Sequence, residues 1–345
     1  MVEIFFENPN EERIGPGKEK YLYYSSKAYF TYGLNRNKFQ NGYLGLNPSE
    51  VSGIFHIRYP ESKPLKATKI ELYFCGIVNT QWADYNGYCS NSKEICKEMK
   101  CIWKANSNEE NITSLDYPFK FTIPNESPSS INYIGEYKVN GTIYYTINAI
   151  IYRKTRRIFE SSEKVIEVRA DIKRWQLLTC PDYNPDLLIE KNELYKCQVL
   201  LDKSTFDIKG IINIPINFQI YKQNVIVKKI KVKLVEYFKL KNFAASNKGS
   251  LVKQTVNGNE VLSIPNSENE FSVVVKLDLS KVKKLWNNEA VINCSCITEL
   301  FEIFHKVKIN ILMGKANSVK FKKEIKLCNI VSDDALEEYM EDNIF

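Results

Sequence analysis

The chain has 345 residues, 48 of them basic and 41 acidic, for a net charge of +7. On a prior of roughly 150 residues per domain this is a two-domain chain, and each half is long enough to bury its own core. The mild positive excess suits an acidic partner surface and creates no need for nucleic acid. No apolar run approaches the ~18 residues of a membrane helix. Met1-Val2-Glu3 opens no secretory leader, so the expectation is a cytoplasmic protein.

With 21 Tyr and 18 Phe, and abundant Val and Ile, the composition favours strands. In chain order, alternating runs stand at 52–59, 69–78, 118–123, 141–152 and 164–172. A second set follows at 209–221, 228–238, 270–279, 301–313 and 318–328. The one helix candidate is SKEICKEMKCIW (92–103), where Ile95, Met99 and Ile102 would share a face. In DYPFKFTIPNESPSS (116–130), Phe119 and Phe121 alternate with Lys120 and Thr122, giving a strand with one apolar face. Pro124 lacks an amide donor and ends its pairing. The order strand, turn, strand, irregular stretch, strand, long strand, last strand occurs twice, which implies a duplication.

The expected fold is all-β: two tandem immunoglobulin-like sandwiches, with at most one short helix. The expected divisions are 1–173, 174–331 and an acidic tail, SDDALEEYMEDNIF, at 332–345.

The nine cysteines form no Cys-x-x-Cys pair, and reduced thiols are expected. Cys89, Cys96 and Cys101 have loose spacing and lack the fourth ligand a structural zinc would want. His56 and His305 lie inside alternating runs and read as strand residues with satisfied rings. Phosphate loops and hydrolase motifs are missing, so no catalysis and no cofactor are expected.

Several segments, in order, resemble the arrestins, and the α-arrestin branch most. They are IFFENPN (4–10), NPSEVSGIFHIRY (47–59), IELYFCGIVNTQW (70–82), DYPFKFTIPNESPSSI (116–131) and GTIYYTINAIIYR (141–153). In the second half, IINIPINFQIYKQNVIVKKIKVKLVE and INCSCITELFEIFHKVKINILMG are similar to a C-terminal arrestin domain. The chain departs from the family at several points. Ser49 stands where Gly is usual, and the connection 83–115 is long. The stretch after Met313 is short, where visual and β-arrestins carry an acidic polar-core loop. No Pro-Pro-x-Tyr motif occurs.

Two basic patches are candidate sites. In KKIKVK, Ile230, Val232 and Leu234 should alternate inward and Lys229, Lys231 and Lys233 outward. Strand spacing sets these lysines roughly 7 Å apart, a repeat suited to several phosphates. The resemblance implies inositol-phosphate or phosphoinositide binding there, with Lys231 at a matching basic position and Val235 departing. The second patch is Arg153, Lys154, Arg156 and Arg157, placed at a hairpin and suited to an acidic or phosphorylated peptide.

The resemblance implies a non-catalytic adaptor that binds cytosolic segments of membrane proteins for sorting or endocytosis. Ubiquitin-ligase or clathrin-adaptor machinery would be partners, and acidic phosphoinositides would recruit the chain to plasma membrane or endosomes. A peptide could add to a free sheet edge. Rival readings are a coat or retromer-type subunit, a signalling scaffold, and an enzyme with a thiol or metal site within 83–115.

Overall fold

A computed structural model describes residues 21–22, 27–32, 38–84, 87–135, 139–154, 162–178, 186–222, 225–241, 251–262, 269–281, 292–314 and 318–342. The 4–10 segment, Arg156 and Arg157 lie outside the described residues. The fold is all-β. It divides into two units, one of residues 1–79, 92–130 and 142–174, the other of 80–91, 131–141 and 175–345.

The strands of the first half are β1 (Tyr21–Leu22), β2 (Ala28–Thr31), β3 (Gln40–Asn41), β4 (Ser49–Arg58), β5 (Leu65–Ala67) and β6 (Lys69–Asp84). They continue as β7 (Gly87–Lys104), β8 (Glu110–Ile112), β9 (Ser114–Ile123), β10 (Ile131–Ile134), β11 (Asn140–Arg153) and β12 (Ser162–Ala170). In one sheet β4 is the centre. It pairs with β2 and β3 and, along its whole length, with β9. In the other, β11 joins β6, β6 joins β7, and β12 pairs with β11. The apolar faces meet in an aromatic core. Phe74 stacks on Phe121 at 6.0 Å and on Tyr145 at 5.9 Å, and Phe30 meets Phe119 edge-on at 5.7 Å.

The segment read as a helix, 92–103, is strand β7. The i, i+3 spacing of its apolar residues is overridden by pairing with β6, because a hydrogen-bonded ladder outweighs a weak local preference. Met99 is 53% exposed, so the expected apolar face does not form. Cys96, Glu98, Lys100 and Ile102 alternate as the less exposed positions instead. The long connection 83–115 accordingly holds β7, which pairs with β6, and β8, which pairs with β5.

The bend after Pro124 has a structural job. Ser127 N–H closes a turn on the Pro124 carbonyl at 2.9 Å. Ser129 Oγ then accepts from Arg174 N–H, and Ser130 Oγ accepts from Ile172 N–H, both at 2.9 Å. The two serines of the block thus pair backbone groups that would otherwise be orphaned.

The second half holds β13 (Trp175–Leu177), β14 (Asp186–Lys191), β15 (Tyr195–Leu201), β16 (Thr205–Asp207), β17 (Ile211–Ile220) and β18 (Ile226–Leu240). It ends with β19 (Leu251–Leu262), β20 (Glu270–Asp278), β21 (Cys296–Ile297), β22 (Phe301–Gly314), β23 (Val319–Val331) and helix α1 (Asp333–Asp342). One sheet runs β13-β23-β22-β18-β19 and the other β14-β15-β17-β20. Their inward residues, including Val199, Ile214, Phe218, Val232, Leu234 and Ile309, form one core.

The acidic stretch read as a tail is helical over Asp333–Asp342. Ser332 caps it: its Oγ accepts from Ala335 N–H at 3.3 Å. Asp333 and Asp334 in the first turn face the positive end of the helix dipole.

Candidate functional site

The alternation of β18 is as expected. Ile230, Val232 and Leu234 are fully buried, while Lys229, Lys231 and Lys233 lie half-exposed on the opposite face. Register then adds what the linear sequence hides. Lys233 stands opposite Lys308, and Lys308 opposite Lys322, so three lysines occupy one rung across β18, β22 and β23. The next rung is Lys231, Asn310 and Lys320. Directly opposed side chains in such a ladder have Cβ atoms about 5 Å apart.

Like charges this close cost energy unless something offsets them, and an aromatic pair does so. Tyr237 and Phe304 stack nearly parallel at 4.8 Å on the same face. The ammonium groups of Lys306, Lys308 and Lys322 lie 5.8, 5.4 and 5.8 Å from the Tyr237 ring. Lys306 also pairs with Glu324 at 2.8 Å. Among the described residues, Lys229, Lys231, Lys233, Lys308, Lys320 and Lys322 have no carboxylate partner. Among the described residues these lysines give this face of the sheet a local excess of positive charge.

The second predicted patch is only half described. Arg153 ends β11 opposite Ser162 of β12, so the antiparallel pair expected there is present. Arg153 is half-buried, and its Nε has no acceptor among the described residues. Lys154 is exposed, and its backbone N–H donates to Glu109 Oε1 at 3.2 Å. That carboxylate offsets part of the local charge.

Both histidines are satisfied strand residues. His305 and Glu236 are fully buried, with His305 Nε2 3.2 Å from Glu236 Oε2 and Nδ1 2.9 Å from Ser295 Oγ. Asn293 donates to the same carboxylate through its backbone N–H at 3.1 Å. His56 Nε2 lies 2.8 Å from Thr31 Oγ1, and Nδ1 lies 2.6 Å from Asp116 Oδ1. Sequence reading missed this hydroxyl–imidazole–carboxylate row, because Thr31 and Asp116 come from different strands. It looks like a hydrolase triad but lacks its access: Thr31 is 3% exposed and sits within β2 rather than on a sharp turn.

Three of the thiols are poorly suited to nucleophilic chemistry. Burial pushes Cys96 up to about 11, and Cys197 and Cys296 up to about 12. Among the described residues, no three His, Cys, Asp or Glu side chains converge as metal ligands.

No curated protein matches the chain. Residues 44–173 match the family model described as "Arrestin (or S-antigen), N-terminal domain". The matched span contains β4, β6, β9 and β11, the strands whose motifs carried the resemblance. The match shows an arrestin N-terminal domain over residues 44–173, within an all-β chain.

Proposed function

We propose that this chain is an arrestin-like adaptor that binds cytosolic segments of membrane proteins for sorting or endocytosis, and that Lys229, Lys231 and Lys233 hold it against acidic phosphoinositides. The observation that carries this reading is the cationic face of β18, where Lys229, Lys231 and Lys233 have no carboxylate partner among the described residues. A flat array of ammonium groups about 7 Å apart meets several headgroups at once. Arg153 and Lys154, with Arg156 and Arg157, supply the contact for an acidic or phosphorylated cargo segment. The arrestin N-terminal domain supports the adaptor role, and ubiquitin-ligase or clathrin-adaptor proteins are the partners it implies. In this reading the chain carries out no reaction.

The test is co-sedimentation with phosphatidylcholine vesicles, with and without a phosphoinositide. Binding should require the anionic lipid and weaken with salt. Replacing Lys229, Lys231 and Lys233 by Glu should abolish it while leaving the unfolding midpoint near wild type. Unchanged binding by this variant would remove the lipid role. Affinity capture with mass spectrometry tests the adaptor role separately, through recovery of membrane proteins together with sorting machinery.

A further inference from the structure

Strand β9 is ten residues long, and among the described residues only β4 pairs with it. Its other edge carries the outward-pointing backbone groups. In an antiparallel ladder these alternate. The Lys120 carbonyl and the Thr122 N–H point away from β4, so residues 114, 116, 118, 120 and 122 make up the outer row. A free edge of this length is a template for another strand.

Between residues 118 and 122 this row is obstructed at three points. Pro118 lies in it and has no N–H to offer. Lys100, reaching over from β7, donates its ammonium to the Lys120 carbonyl. Glu98, two residues earlier on β7, accepts from the Thr122 N–H at 3.3 Å. The two side chains also pair with each other, Nζ to Oε1 at 3.3 Å, and the Lys100 ammonium lies 5.0 Å over the Phe121 ring. One acid and one base therefore imitate the donor and acceptor of a neighbouring strand.

The placement fits self-pairing in particular. If two copies met β9 to β9 about residue 119, Lys120 would face Pro118 of the partner strand and lose a hydrogen bond in each half. About residue 121, Lys120 would face Thr122 and exchange both bonds, twice by symmetry. Lys120 and Thr122 are the two residues that Glu98 and Lys100 cover.

We infer that Glu98 and Lys100 form a latch on the β9 edge, and that opening the latch lets two copies of this chain pair through β9. The latch is two partly exposed side chains rather than a packed element, so it can be opened without unfolding the strand beneath.

The test compares wild type, Glu98→Ala/Lys100→Ala, and the same double variant with Thr122→Pro, by light scattering over a concentration series. The latchless variant should dimerise at least tenfold more tightly than wild type. Thr122→Pro removes the outward N–H and should restore the wild-type value. A double variant that stays as monomeric as wild type overturns the proposal, as does dimerisation that Thr122→Pro leaves intact. Amide exchange on the wild-type protein covers the case of a misfolded variant. The Thr122 N–H should be protected at low salt and lose protection in high salt, and exchange at the rate of an open amide in both would show that no latch exists.

Discussion

The side-chain amide of Gln40 bonds both backbone groups of Lys173, 133 residues away, donating to its carbonyl and accepting from its N–H at 2.8 Å each. Gln40 is 3% exposed, so water does not replace it if it is lost. The serines after Pro128 hold the residues on either side of Lys173, which fixes Ile172–Arg174 from two directions. Gln40→Leu should therefore destabilise the protein by about 1–3 kcal/mol, the usual cost of buried groups left unpaired. The urea midpoint should fall with an unchanged slope. Ser129→Ala should cost less, about 1 kcal/mol. An unmoved midpoint for Gln40→Leu would mean that this segment is held by packing instead.

Glu236 and His305 are both fully buried, with Oε2 of the first 3.2 Å from Nε2 of the second. Taking one away removes a buried hydrogen-bond partner of the other, a loss of up to about 3–5 kcal/mol in comparable buried pairs. Glu236→Leu also removes the acceptor for Asn293 N–H. Both single variants, Glu236→Leu and His305→Leu, should be strongly destabilised. The double variant should recover part of the loss, because two apolar side chains leave neither member of the pair orphaned. A double-variant cycle by chemical denaturation measures this coupling, and simple additivity would reject it.

The sequence made the strands legible wherever one face is buried, because period-2 alternation is then enforced by the core. Phe119 with Phe121, and Ile230 with Val232 and Leu234, are such cases. It misled at 92–103, where five of the twelve residues are charged and Ile95, Met99 and Ile102 fall at helical spacing by accident. There the partner strand decides. The cap of α1 was present in the sequence as Ser332 before Asp333-Asp334, but the acidic composition drew attention away from it. For the candidate site, the lysines of β18 could be read from alternation alone. Lys308, Lys320 and Lys322 join them only through register, which depends on turn geometry far from the site.

Asp116 gives a pH-dependent term whose sign can be stated. Burial alone would raise its pKa, but hydrogen bonds from His56 and Arg58 more than offset this and hold the carboxyl below its usual range. A depressed folded pKa stabilises the protein above the unfolded value, near 4, and this contribution disappears as pH falls through the folded value. Wild type should thus exceed Asp116→Asn by a constant margin at neutral pH. The margin should shrink below about pH 4. The side chain is 54% exposed, so the margin should also be reduced by salt. Denaturation curves for both proteins from pH 7 to pH 2 check this, and a margin that grew on acidification would reverse the assignment.

The thiol-enzyme reading can be tested at Cys96, Cys197 and Cys296. With pKa values of about 11 for Cys96 and about 12 for Cys197 and Cys296, the thiolate fraction at pH 8 is about 10⁻³ for the first and about 10⁻⁴ for the others. Iodoacetamide at pH 8 should leave these three unmodified in the folded protein for as long as it takes to label the unfolded chain completely. Peptide mass spectrometry after a timed quench reads each site. Cys96 is the informative one, since β7 was the segment where a reactive thiol could have been placed. Rapid native labelling at Cys96 would mean that its surroundings stabilise the thiolate, and would bring thiol chemistry at β7 back into consideration. Slow labelling at all three positions would leave them as packing residues, in keeping with a chain that works by binding.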